Sequence, residues 1–153
     1  MKRKPEFLTN LDTRQINSRS FALLKPLYYY SAYLDKTIVV PQGFVCDGTS
    51  DLLKDDTKGP AVLHDNGYRS PDHEIDILVN EDGRGVLKKY KISKHEIDMV
   101  FKEAMKVWKK PETKFGKTVY FFERWMKYLG VVVGGHSSYR DGPSKYKKID
   151  IKE

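Results

Sequence analysis

The chain has 153 residues, a formal net charge of +7 and a single cysteine, Cys46. One cysteine excludes an intrachain disulfide, and no apolar run approaches the ~20 residues that a membrane-spanning helix needs. Acidic side chains stand among the lysines, so the charge favours a solvated basic surface and does not favour a specific nucleic-acid partner. We expect one domain covering residues 1–153.

The first half of the chain has the pattern of strands and turns. Residues 37–40 are β-branched and stop at Pro41, which predicts a strand followed by a turn. Residues 21–24 and 27–33 predict two further strands, separated by a proline. Residues 43–50 then form a glycine-punctuated loop.

The second half has the period of amphipathic helices. Gly59 and Pro60 predict one helix start, and Ser93 with Glu96 forms a capping box that predicts another. The predicted elements are a helix from 59 to about 70, a hairpin with strands 75–79 and 86–92, helices over 93–110 and 115–129, and an irregular polar tail from about 136. Together these patterns predict an α+β fold, with a small antiparallel sheet in the N-terminal half followed by two or three packed helices.

One face of the first predicted helix carries an unusual set of polar side chains. His64 and Asp65 are adjacent, and Tyr68 follows one turn later on the same face. One interpretation is an acid/base histidine beside a carboxylate that can hold a hard cation. The alternative is a half-buried histidine with satisfied hydrogen bonds beside a surface carboxylate. The spacing alone leaves both interpretations open.

The second predicted helix offers a partner for this histidine. Asp98 lies at the edge of its apolar stripe, where it can accept a hydrogen bond from a ring N–H of His64 if the two helices are antiparallel neighbours. A carboxylate in that position fixes the tautomer and stabilises the imidazolium, which leaves the other ring nitrogen free to act as a base. Alternatively, Asp98 only complements the positive end of the helix dipole.

The glycine loop adds a candidate ligand set. A carboxylate, a flexible backbone and two hydroxyls are combined in the run Asp47-Gly48-Thr49-Ser50. Such loops bring carbonyl or N–H groups close to an ion or an oxyanion, although a tight turn in which Asp47 caps backbone amides explains the same residues. Cys46 has apolar neighbours, which favours a buried thiol over a catalytic nucleophile.

Three motifs occur in chain order: Pro41-x-Gly43-Phe44-x-x-Asp47-Gly48-x-Ser50, Ala61-Val62-Leu63-His64-Asp65-x-x-Tyr68, and Ser93-x-x-Glu96-x-Asp98-x-x-Phe101-x-Glu103-Ala104-Met105. Over roughly residues 38–130 the chain resembles a family of short tailed-phage and prophage proteins that is catalogued as a domain of unknown function. The resemblance implies a phage origin. The chain departs from the family after the serine of the loop. Family members usually have an apolar-proline-basic run there, whereas this chain has Asp51-Leu52-Leu53-Lys54.

The pattern His64-Asp65-x-x-Tyr68, followed by a helix with Asp98, is also similar to secreted and parvoviral phospholipases A2. This resemblance implies that His64 is the base that activates water, that Asp98 orients it, and that Tyr68 supplies a supporting hydrogen bond. It implies Ca²⁺ as the cofactor, with ligands from Asp65, Asp47 and Gly48. The chain departs from those enzymes in lacking disulfides, in the glycine pattern of the loop, and in the greater distance of the loop from the histidine.

Three functions are therefore considered, two of which rest on motifs. The first is a small phage protein of the virion or its assembly, a tail or head-completion component with other phage structural proteins as partners, located in the virion or in the host cytoplasm during assembly. The second is a calcium-dependent hydrolase of phospholipase A2 type that acts on phospholipid of the host envelope. The sequence leaves open whether the protein is an enzyme. A nucleic-acid-binding accessory factor ranks third, because it rests on charge alone.

Overall fold

A computed structural model describes residues 3–18, 20–46, 58–108, 128 and 136–151. In these ranges the strands are β1 Glu6–Phe7, β2 Thr13–Gln15, β3 Phe21–Leu23, β4 Leu27–Ser31, β5 Lys36–Val40, β6 Val45–Cys46, β7 Glu74–Glu81 and β8 Arg84–Lys91. The helices are α1 Lys58–Arg69, α2 Lys94–Val107 and α3 His136–Asp141, and short 3-10 turns cover Pro71–His73 and Gly142–Lys145. None of these helices has the length and apolar character of a membrane span.

The strands form two antiparallel sheets. The larger sheet has the order β1-β4-β5-β7-β8, and the smaller has the order β2-β3-β6. In the middle of the larger sheet, Ile38 pairs with Tyr29 of β4 on one side and with Ile77 of β7 on the other. β-Branched and aromatic side chains fit such a pleated, half-buried surface, which explains why these segments form strands. The predicted α+β fold is confirmed.

The predicted hairpin is formed by β7 and β8. Its two-residue turn consists of Asp82 and Gly83, both with positive φ, 49° and 79°, as the turn that best matches the twist of a hairpin requires. The hairpin follows α1 in the chain, yet β7 pairs with β5 and so extends the same sheet. The larger sheet is therefore not confined to the N-terminal half.

Helices α1 and α2 pack against each other and against the larger sheet. Gly67 permits their close approach, because a Cβ at this position would lie 2.6 Å from Cγ1 of Ile97. The predicted capping box at the start of α2 is present, with Ser93 and Glu96 each accepting a hydrogen bond from the other's backbone N–H. The described residues of helix α1 run from Lys58 to Arg69 and include the predicted start at Gly59 and Pro60. The predicted helix over 115–129 lies outside the described residues, apart from Tyr128.

The C-terminal segment is more regular than the sequence predicts. An irregular tail is expected from about residue 136, whereas the structure has α3 and a 3-10 turn there. The Tyr139 hydroxyl donates to the carbonyl of Ile92 at 3.0 Å, and its ring stacks on His73 with centroids 3.7 Å apart. Because α3 has only six residues, tertiary contacts of this kind stabilise it, and no local periodicity reveals it.

Candidate functional site

The contact between α1 and α2 places His64 and Asp98 against each other. The His64 Nε2 atom lies 3.6 Å from Asp98 Oδ1, which is longer than an ordinary hydrogen bond. Nε2 is buried and has no hydrogen-bond partner in the part of the chain that the structure describes. Histidine–carboxylate contacts in sites without substrate are often long and shorten in the reactive complex. The two predicted residues are therefore brought together, with Nε2 facing the carboxylate.

The Asp98 carboxylate is held in place by two further side chains. Its Oδ1 atom accepts a hydrogen bond from the Tyr68 hydroxyl at 2.7 Å, and its Oδ2 atom accepts one from Lys94 Nζ at 2.8 Å. The Asp98 side chain is only 4% exposed. This buried position differs from the predicted position at the rim of the helix–helix interface. A buried carboxylate with two donors cannot rotate without breaking a hydrogen bond, so its orientation towards His64 is fixed.

The imidazole ring of His64 is packed between aromatic side chains. Its centroid lies 4.0 Å from that of Tyr68 and 4.9 Å from that of Phe101. The His64 side chain is 12% exposed, so it is neither fully enclosed nor a surface histidine. This packing fixes which ring edge faces which carboxylate.

The other ring edge of His64 faces Asp65. The His64 Nδ1 atom is 3.9 Å from Asp65 Oδ1. The second oxygen, Oδ2, accepts a hydrogen bond from Cys46 Sγ at 3.1 Å and lies 3.7 Å from Arg69 Nη1. Cys46 is fully buried, as its apolar neighbours predict, and donates to a carboxylate. The histidine thus lies between two carboxylates, one on each nitrogen side.

These contacts raise the pKa of His64 and lower the pKa values of the two carboxylates, so they favour the ionised form of all three groups. Burial by itself lowers the pKa of His64, but the neighbouring Asp65 and Asp98 raise it by more, so the net pKa lies above its ordinary value. Burial opposes ionisation of Asp65 and Asp98, but their hydrogen-bonding and charged partners hold both pKa values below the ordinary range. Burial and the Asp98 carboxylate raise the pKa of Tyr68, which therefore remains a hydroxyl donor.

The pKa shifts predict how stability depends on pH. The raised pKa of His64 contributes stability that is complete below its ordinary pKa of about 6.5 and is lost as pH rises through the folded-state value. The depressed pKa values of Asp65 and Asp98 contribute stability that is complete above about pH 4 and is lost on acidification. We expect the free energy of unfolding, measured by urea unfolding at a series of pH values, to be largest between these limits. A His64→Gln variant should lose the decline on the alkaline side, whereas a wild-type protein whose stability rises from pH 6 to 8 would contradict the cluster's charge state.

The calcium ligands implied by the phospholipase resemblance are only partly described. Asp47 and Gly48 lie outside the described residues. Asp65 is described, and its two oxygens already face a thiol donor, a guanidinium and an imidazole. Ca²⁺ prefers six to eight oxygen ligands, and the described ranges contain no group of three or more acidic, histidine or cysteine side chains suited to a metal. Asp65, the one implied ligand that is described, faces two cationic side chains and a thiol, and calcium binding stays a prediction.

Sequence reasoning overlooked two basic residues of the cluster, Lys94 and Arg69. Each lies four positions from a carboxylate of the site on the same helix, Lys94 from Asp98 and Arg69 from Asp65. Opposite charges at this spacing are neighbours on a helix surface, so the signal was present in the sequence. The spacing does not reveal that these pairs are largely buried, and burial strengthens their effect on the two carboxylates.

Comparison of the chain with family models, with curated proteins and with solved structures gives no match. The likeness to the phage family and to the phospholipases therefore stays a resemblance of motifs. What the site can do is inferred from its own geometry.

Proposed function

We propose that the protein is a small hydrolase in which His64 is the general base and Asp98 orients it. The observation that carries this proposal is the position of the Asp98 carboxylate, which lies 3.6 Å from His64 Nε2 while Tyr68 and Lys94 hold it in place. A histidine acts as a base when one nitrogen faces a carboxylate, because that carboxylate stabilises the imidazolium formed when the other nitrogen accepts a proton.

The chemistry follows from the two sides of the ring. With Nε2 against Asp98, Nδ1 is the nitrogen that accepts a proton from water, because its 3.9 Å contact with Asp65 Oδ1 is too long for a hydrogen bond and leaves its lone pair available. The water oxygen then forms a bond to the acyl carbon of an ester, and the imidazolium returns the proton to the departing alkoxide. Tyr68 contributes by donating to Asp98, so it acts on the orientation of the carboxylate and not on the substrate. The substrate class is an ester, and the phospholipase resemblance favours phospholipid of a cell envelope.

The proposal is tested by hydrolysis of an ester panel. Purified wild-type protein is incubated with short-chain nitrophenyl esters and with phosphatidylglycerol and phosphatidylethanolamine vesicles, and released acid is titrated. We expect the wild-type protein to release acid from at least one of these esters. The control variant His95→Ala, which removes an exposed histidine, should release acid at the wild-type rate. A wild-type protein that is inactive on every member, together with early melting of His64→Ala, would contradict the proposal and favour a structural role for the site.

We also propose, as a second candidate, that the protein is a component of a phage particle or of its assembly. The motif resemblance supports the phage origin, and the exposure of β8, the outermost strand of the larger sheet, supports a protein partner. Lys89 pairs with Asp76 of β7 at 2.7 Å, while Val86 and Leu87 are 37% and 53% exposed. An outer strand with exposed apolar side chains suits strand addition by another protein.

The second candidate is tested on particles produced from the genome that encodes the chain. We expect mass spectrometry of purified particles to detect it if it is a virion component. Detection only in cell lysate, co-purifying with capsid or tail intermediates, would place it in assembly. Absence from both fractions would contradict this candidate.

A further inference from the structure

The Asp65 carboxylate has a positively charged partner within its own helix. Arg69 follows one turn later, and its Nη1 atom lies 3.7 Å from Asp65 Oδ2. The side chains are 18% and 14% exposed, so the pair is largely removed from water. A charge attraction at such a distance is stronger in a desolvated position than at a surface.

Among the described residues, both oxygens of Asp65 face further partners. Cys46 donates its thiol hydrogen to the same Oδ2 atom, and His64 Nδ1 faces Oδ1 at 3.9 Å. A divalent ion bound to Oδ2 would lie close to the Arg69 guanidinium, which never loses its charge in a protein. Ion and guanidinium would repel each other, and an ion on Oδ2 would compete with the Cys46 thiol for that oxygen.

We propose that the Arg69 guanidinium balances the negative charge of Asp65 in place of a divalent cation. The His64 site then works without a metal. The statement that the site works rests on the proposed hydrolase function. The charge pairing of Arg69 with Asp65 does not depend on that function. Arg69 is in this sense a positioning residue: it holds the Asp65 carboxylate on the Nδ1 side of the imidazole and balances its charge.

The test combines thermal melting with a charge-matched set of variants. We expect the wild-type melting temperature to be the same in EDTA and in millimolar Ca²⁺, because a ligand that bound the native state would raise it. Arg69→Gln should melt about 2–4 °C lower. Arg69→Lys should restore most of that loss, and Arg69→Gln combined with Asp65→Asn should recover part of it, because the unbalanced carboxylate is then gone. Arg140→Gln is the matched control, since Arg140 pairs with Asp141 in an exposed position.

Two results would overturn the proposal. The first is a wild-type melting temperature that rises with Ca²⁺ and no longer rises in Asp65→Asn. The second is an Arg69→Gln protein that melts like the wild type. Hydrolysis is measured in the same two buffers, and equal wild-type rates in EDTA and Ca²⁺ support the proposal. Absence of hydrolysis in both buffers would contradict the hydrolase function, and the melting series would then decide the role of Arg69 independently.

Discussion

Replacement of His64 by alanine is expected to lower the rate of ester hydrolysis by roughly 10²–10⁴-fold, the usual contribution of a positioned general base. The imidazole is the group in the cluster that can take a proton from water at neutral pH, because Asp65 and Asp98 have pKa values below their ordinary range. Removal of the ring also leaves Asp98 with its Tyr68 and Lys94 donors intact. The loss should therefore appear mainly in kcat.

The control for this substitution is His95→Ala, measured beside it. His95 is exposed on α2, and its ring lies near Tyr33, with the centroids 6.4 Å apart. We expect the control to keep wild-type activity and both proteins to melt cooperatively. A His64→Ala protein with a rate within a few-fold of wild type would contradict the assignment of the base. If the wild-type protein has no activity and His64→Ala melts far below the His95→Ala control, the role of the histidine is in stability.

Replacement of Asp98 by alanine is expected to lower both activity and stability. The side chain is 4% exposed, and its loss leaves the Lys94 ammonium and the Tyr68 hydroxyl without their acceptor. Stranding a buried charge and a buried donor costs about 3 kcal/mol of unfolding free energy. Urea unfolding measures this loss, and Asp98→Asn should recover part of it because one oxygen still accepts.

The activity of Asp98→Ala shows whether Asp98 and His64 act as one catalytic unit or independently. If Asp98 acts through His64, the double variant His64→Ala/Asp98→Ala should be no slower than His64→Ala alone. The control is Asp150→Ala, which removes an exposed carboxylate. Unchanged unfolding free energy in Asp98→Ala would contradict the described hydrogen bonds, and additive losses of rate in the double variant would contradict the dyad.

The geometry of the dyad could be predicted because it follows from helical periodicity. The 3.6-residue period places His64, Asp65 and Tyr68 on one face of α1, and it places Asp98 beside the apolar stripe of α2. Both helices are local structures with clear boundaries, and the capping box at Ser93 sets the register of the second. The prediction required the two helices to be antiparallel neighbours, and their contact brings His64 Nε2 to 3.6 Å from Asp98 Oδ1.

The environment of the dyad could not be predicted in the same way. How deeply Asp98 is buried depends on the side chains that both helices and the sheet bring around it. The roles of Lys94 and Arg69 depend on that burial, since the same pairs at a surface would contribute little. The helix α3 was missed for a related reason, because its contacts through Tyr139 join it to residues distant in sequence, Ile92 and His73.

The most direct test of the central claim is to measure the titration of His64 and the pH dependence of hydrolysis in one buffer series. The ring signals of His64, assigned by comparison with His64→Gln, give its pKa by NMR, and kcat/KM gives the midpoint at which the base becomes active. We predict that the two midpoints coincide and lie above 6.5, because Asp65 and Asp98 raise the pKa of the imidazole. A kcat/KM that is constant across the titration of His64 would contradict its role as the base.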